Sequence, residues 1–157
     1  MALIIEDGSV VPNANSYITV DEFKAWADER GISYGTDQAV EQAIYRAMDW
    51  FERQFFIGNK ANENQPLQWP RTEALIDGYY ADATEIPKEV NTALYEATKV
   101  ELDGNSELNN EDRRTIREQV GDISVEYAQN SNNRVTTPAL TFAMNRIAAP
   151  AGLVTRV

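Results

Sequence analysis

The sequence predicts a mainly α-helical domain: a small bundle of about four helices, with one β-hairpin and an extended C-terminal arm. Three observations predict it. Apolar residues recur at three-and-four spacing, most clearly at Val40, Ile44, Ala47, Met48, Phe51 and Phe55. Thr19 and Glu22 stand at capping-box spacing before another such stretch. Near the C-terminal third, Ile123, Val125 and Tyr127 alternate with Ser124 and Glu126 directly after Gly121-Asp122, which is a hairpin pattern.

In chain order, residues 1–18 read as extended. Leu3-Ile4-Ile5 and Val10-Val11 are β-prone runs split by Asp7-Gly8, and Pro12-Asn13-Ala14-Asn15 is a turn. The first helix follows Thr19, with Ile18 and Phe23 at the staple positions. Phe23, Trp26 and Ala27 form its apolar side, and Gly31 stops it. The second helix carries Glu41, Tyr45, Asp49, Glu52 and Arg53 on its polar side, and Gly58 is expected to end it. Residues 59–86 read as a long irregular stretch containing Pro66-Leu67-Gln68-Trp69-Pro70-Arg71 and Asp77-Gly78-Tyr79-Tyr80. Gln65 and Trp69 precede prolines and are expected to be extended.

Pro87 opens the third helix. Val90, Ala93, Leu94, Ala97 and Val100 are its buried side; Glu89, Thr92, Glu96, Lys99 and Asp103 are its polar stripe; Gly104 ends it. Arg117 to Tyr127 is the hairpin. These elements form a core spanning residues 1–128. Residues 129–157 are a linker with Asn130-Ser131-Asn132-Asn133, a short helix from Pro138, and an arm beyond Pro150 and Gly152.

Composition excludes several classes of chemistry. The 157 residues include no Cys and no His, so a Cys nucleophile, a Ser-His-Asp triad and an imidazole acid or base are all ruled out. Zinc sites need Cys or His in nearly every case. The acids Glu73, Asp77, Asp82 and Glu85 share one loop, but their spacing fits no EF-hand and they read as solvated carboxylates. No catalytic, cofactor-binding or metal-binding residue is expected, and the chain reads as a non-enzyme. No apolar run approaches the roughly 20 residues that span a bilayer, so no membrane partner is expected. A net charge of −11, from 14 basic and 25 acidic residues, disfavours polyanion binding.

Function is then sought in contact surfaces. Trp69 and Arg71 either plug their own core or anchor a neighbour, since Trp and Arg are frequent hot-spot residues. The apolar face with Ile123, Val125 and Tyr127 needs a covering surface, because an isolated hairpin is marginal in water. In the C-terminal segment, Leu140, Met144, Ile147, Leu153 and Val154 are expected to dock on another chain.

Several segments also carry a resemblance. Glu6-Asp7-Gly8 through Asn15-Ser16-Tyr17 with the capped helix, Leu67-Gln68-Trp69-Pro70-Arg71, Ile86-Pro87-Lys88-Glu89-Val90 and Val120-Gly121-Asp122-Ile123-Ser124-Val125-Glu126-Tyr127 occur in this order. Over residues 1–128 the chain resembles a phage family labelled DnaT-like single-stranded DNA-binding. It is also similar in size and helical layout to the head–tail connector, or adaptor, proteins of tailed phages. The connector likeness implies a structural virion protein in a homo-oligomeric ring, commonly twelvefold. That ring joins the portal protein to a downstream neck or tail-terminator protein, and genomic DNA passes through its lumen without specific binding. Its location would be the virion neck, after assembly in the host cytoplasm. The label implies the alternative, a replication accessory protein that binds single-stranded DNA.

Overall fold

Helix α1 (Val20–Asp28) starts at its capping box. In the computed structural model, which describes residues 2–104, 117–120, 123–126 and 137–149, Glu22 N–H donates to Thr19 Oγ1 at 3.1 Å. Thr19 N–H donates in return to Glu22 Oε2 at 2.7 Å. At the other end Gly31 takes φ +64°, while Ile32 N–H donates to the carbonyl of Ala27 and Gly31 N–H to that of Asp28. This is the Schellman arrangement, which uses up carbonyls that the helix end leaves open. Phe23, Trp26 and Ala27 are buried, as their spacing predicts.

The N-terminal run forms no regular strand. It is folded around the carboxylate of Glu6, which is 1% exposed. Glu6 Oε1 accepts from the N–H groups of Gly8 and Val10, and Oε2 from that of Val11, all at 2.9 Å. These bonds hold Val10 at φ +64°, a conformation that costs a β-branched residue free energy.

Helix α2 (Asp37–Phe51) buries Val40, Ile44, Ala47, Met48 and Phe51. Phe55 was expected on the same stripe, but the helix ends before it and Phe55 is 84% exposed. Phe56 turns inward instead. The reason is a change of period. Here the chain runs antiparallel to residues 147–149: Ala149 N–H donates to Phe55 O at 2.8 Å and Ile57 N–H to Ile147 O at 3.1 Å. Extended backbone sends successive side chains to opposite sides. Gly58 therefore does not stop a helix. A Cβ there would lie 2.3 Å from the carbonyl oxygen of Thr72 and 2.7 Å from the nitrogen of Ala74. Only glycine permits that approach.

The stretch expected to be irregular contains two small antiparallel hairpins. In one, β1 (Asn59–Lys60) pairs with β2 (Arg71–Thr72); in the other, β3 (Leu75–Ile76) pairs with β4 (Tyr79–Tyr80). Asp77 at φ +51° and Gly78 at φ +89° form the turn of the second. Positive φ at both central residues is the demand of a primed turn, which Asp-Gly meets.

Helix α3 (Lys88–Leu102) packs against both α2 and the last helix, α4 (Pro138–Asn145). Val90, Ala93, Leu94, Ala97 and Val100 are buried, as expected. Glu89 leaves the expected polar stripe: it is buried and pairs with Arg146 at 3.2 Å. Helix α4 corrects a larger expectation. Leu140, Met144 and Ile147 do not form a free docking face; they are 2%, 8% and 0% exposed within the chain's own core. Their spacing of three to four presents one narrow stripe, and α3 receives it.

The last two strands, β5 (Arg117–Val120) and β6 (Ile123–Glu126), pair antiparallel with Val120 opposite Ile123. Two residues, Gly121 and Asp122, separate them, as the hairpin pattern requires.

One substitution tests the position of the C-terminal helix. Ile147→Ala is expected to lower stability by roughly 2–5 kcal/mol, the cost of emptying a filled core position. Urea denaturation followed by circular dichroism measures it. An unchanged midpoint would mean that this segment is a dispensable arm.

Candidate functional site

The Trp69-Pro70-Arg71 box is held from inside. Tyr17 donates its hydroxyl to Glu52 Oε1 at 2.8 Å and accepts from Trp69 N–H at 2.9 Å. Glu52 Oε2 accepts from Gln68 N–H at 2.8 Å. Gln65 Nε2 donates to the carbonyls of Leu67 and Pro70. The Trp69 ring, 0% exposed, meets Phe56 edge-on at 6.0 Å. Arg71 spends its guanidinium on the chain itself: Nε donates to Ile57 O, Nη2 to Gly58 O, and Nη1 to Gln68 O and Oε1. Both residues are thus buried in the chain's own core, as the core reading has it.

This network is electrostatically tense. Burial raises the Glu52 carboxyl above its ordinary value, and the Tyr17 hydroxyl, the Gln68 amide and the charges of Lys60 and Arg71 only partly offset it. Burial also pushes the Tyr17 hydroxyl well up, with the negative charge of Glu52 adding to the effect. Burial lowers the Arg71 guanidinium.

The large apolar residues left outside are what the body can offer. Leu75 and Tyr80 face each other across β3–β4 and are 52% and 74% exposed. Tyr79, Phe55 and Phe142 are exposed as well. Phe55 and the β3–β4 hairpin are each tied to the end of α4. Phe55 accepts from Ala149 N–H, and Asp77 at the hairpin turn pairs with Arg146. The two tyrosines were visible in the sequence as aromatics. Their exposure follows from the Asp77-Gly78 turn, the signal that locates this hairpin.

Positive charge does not gather here. Lys24 pairs with Asp37 at 2.8 Å and Arg46 with Glu101 at 2.8 Å. Arg30 lies over the Trp26 ring at 4.7 Å and contacts Glu29. Arg146 is held by Asp77 and Glu89. Lys88 and Lys99, both on α3, stand about 16 Å apart along the helix axis. Glu73, Asp77 and Asp82 flank the exposed tyrosines in the sequence, with Glu73 accepting from Asn59 and Asp82 from Thr84. Among the described residues no group of three acids is placed to hold a metal ion.

The other sequence-predicted contact residues divide into two sets. Ile123 and Val125 lie in β6. Tyr127, Leu153 and Val154 lie outside the described residues, as does the linker before Thr137.

A family model described as "Putative DnaT-like ssDNA binding protein" matches residues 1–155. The chain belongs to that family. The match extends past the 128 residues that carried the resemblance and takes in α4, in keeping with the packing of that helix on α3. No curated protein and no solved structure matches the chain. No helix among the described residues is long and apolar enough to cross a membrane.

The tension at Glu52 has a pH signature. Its carboxyl sits above the ordinary value of 4.5 in the folded chain, so the folded state holds this proton more tightly than the unfolded one. The stability it contributes is complete below that ordinary value and is lost as pH rises through the folded value. Melting temperatures of the wild type and Glu52→Gln, compared from neutral pH downward, are expected to shift in favour of the wild type as pH falls. A constant difference would show that Glu52 titrates normally.

Proposed function

We propose that this protein is a non-enzymatic structural subunit of a tailed-phage neck. In this reading copies form a homo-oligomeric, twelvefold ring between the portal protein and the next neck or tail component. Genomic DNA passes through the lumen without specific binding. The virion neck is the place of function and the host cytoplasm the place of assembly.

One observation carries this reading: the exposed Tyr79 and Tyr80 lie between Asp77 and Asp82 in the sequence, while many of the described cations are already engaged inside the chain. A binder of single strands needs a positive groove beside its stacking rings. A sleeve around moving DNA needs walls that do not hold phosphate. The net charge of −11 suits the second task.

The family's description favours a second reading, binding of single-stranded DNA in replication. Tyr79, Tyr80, Phe55 and Phe142 supply exposed rings on which bases stack in that case.

Two measurements separate the readings. Fluorescence polarisation with labelled oligothymidine at low salt is expected to show no saturable binding at micromolar protein. Electron microscopy of the protein mixed with its cognate portal is expected to show added ring density. Nanomolar binding that weakens steeply with salt, together with a bare portal, would overturn the neck assignment in favour of the family's description.

A further inference from the structure

The β3–β4 hairpin has two faces. Ile76 and Tyr79 stand opposite each other on one, and Ile76 is buried in the core. Leu75 and Tyr80 stand opposite each other on the second, at 52% and 74% exposure. Cross-strand neighbours on one face lie in contact, so this second face offers a leucine and a tyrosine side by side, turned away from the core. The charge along the hairpin has one sign. Residues 72–87 include Glu73, Asp77, Asp82 and Glu85 and no Lys or Arg. The basic residues that flank this stretch are Arg71, engaged by backbone carbonyls, and Lys88, the first residue of α3. Asp77 is answered by Arg146, while Asp82 and Glu85 are exposed. Such a face suits an apolar segment that carries a cation.

The chain holds a segment of that kind and starts it beside the hairpin. Ala149 follows α4, and its N–H donates to Phe55 O at 2.8 Å. Three residues earlier, Arg146 pairs with Asp77 in the turn of the hairpin. Residues 150–157 come next, with Leu153, Val154 and Val157 and one charged side chain, Arg156. Eight residues reach up to about 26 Å when extended. So short a tether sets a roughly millimolar effective concentration at the face.

We propose that residues 150–157 cover the Leu75/Tyr80 face of their own chain, with Leu153 and Val154 against the apolar pair and Arg156 beside Asp82 and Glu85. The occupant is the chain's own segment because the tether supplies its concentration at any dilution. A second copy would instead bring a further charge of −11 to an acidic surface. The cover sets the order of events at this face: a base that stacks on Tyr80, or a neighbouring copy that buries it, must first displace residues 150–157. This goes beyond the neck assignment and stands or falls without it.

The test is nitration of the full chain by tetranitromethane at low conversion, with each tyrosine followed by mass spectrometry. Tyr79 serves as the internal control, because it is 80% exposed and lies on the other face. Tyr80 is expected to react at least about fivefold more slowly than Tyr79, since it reacts only when the cover opens. Leu153→Ser/Val154→Ser should bring Tyr80 up to the rate of Tyr79 and leave Tyr79 and the helical circular dichroism unchanged. Protection should be the same from micromolar to near-millimolar protein. The chain contains no cysteine, so Tyr80→Cys/Val154→Cys in one chain provides a disulfide trap that should close within the monomer. Equal rates at the two tyrosines of the wild type would overturn the proposal, as would a double variant that leaves Tyr80 slow. Protection that grows with protein concentration, or a trap that closes only between chains, would give the face to a second copy and overturn it as well. None of these readings involves the portal, so the neck assignment is tested separately by the ring density.

Discussion

The buried contact among Tyr17, Glu52 and the Trp69 backbone is the constraint on which the rest of the fold depends. Residues 52 to 71 leave α2 and return to it without a helix of their own, so something must fix both ends of the excursion. Glu52 does this just past the last turn of α2 by accepting from Tyr17 and from Gln68. Tyr17 passes the connection to Trp69. Arg71 then closes the loop on the carbonyls of Ile57 and Gly58. Buried polar groups cost stability unless they are paired, so each of these groups restricts where the others can sit. The two small hairpins are carried on this frame, and the exposed Leu75/Tyr80 face inherits its position from it.

Much of the helical fold was legible in the sequence, because helices write their environment at a short period. Val40, Ile44, Ala47, Met48 and Phe51 stand on one stripe, and the cap at Thr19 marks the start of α1 without any tertiary information. What failed depended on contacts distant in sequence. Phe55 continues the helical spacing of α2, yet the backbone of residues 147–149 pulls this segment into extended pairing. Gly58 looks like a helix stop, but its requirement is the nearness of Thr72 and Ala74. Leu140, Met144 and Ile147 seemed too few to be core, since a stripe that narrow has meaning only once α3 is there to receive it. Trp69 and Arg71 could not be divided between core and interface by residue type, because both roles use the same side chains. The Asp77-Gly78 pair was the exception, a local signal that was present and locates a hairpin directly.

Buried charges of both signs serve internal structure in this chain: Glu6, Glu89 and Glu101 on one side, Arg71 on the other. Arg71 is buried among carbonyls, and Arg146 clamps the end of α4 to Asp77 and Glu89. Arg46 is fixed to Glu101, whose side chain is almost fully buried. Exposed ion pairs contribute little to stability, but pairs with one buried partner do set geometry. The net charge of −11 over the whole chain is not relieved by any basic stripe among the described residues. The neck reading rests on that charge balance, because exposed aromatic residues bind single strands only beside a positive groove.

Salt separates the two readings of such a surface by sign. Binding to DNA releases counterions, so its affinity falls as salt rises. Association between copies that each carry −11 works against their mutual repulsion. Salt screens that repulsion over about 10 Å at 0.1 M, while burial of exposed apolar residues such as Leu75 and Tyr80 is little affected. Self-association through apolar faces should therefore tighten with added salt over the range in which nucleic acid binding weakens. Under the neck reading, such a protein would stay dispersed while dilute and assemble where a scaffold concentrates it. In that reading the acidic surface would oppose stray contacts and at the same time leave phosphate free to pass.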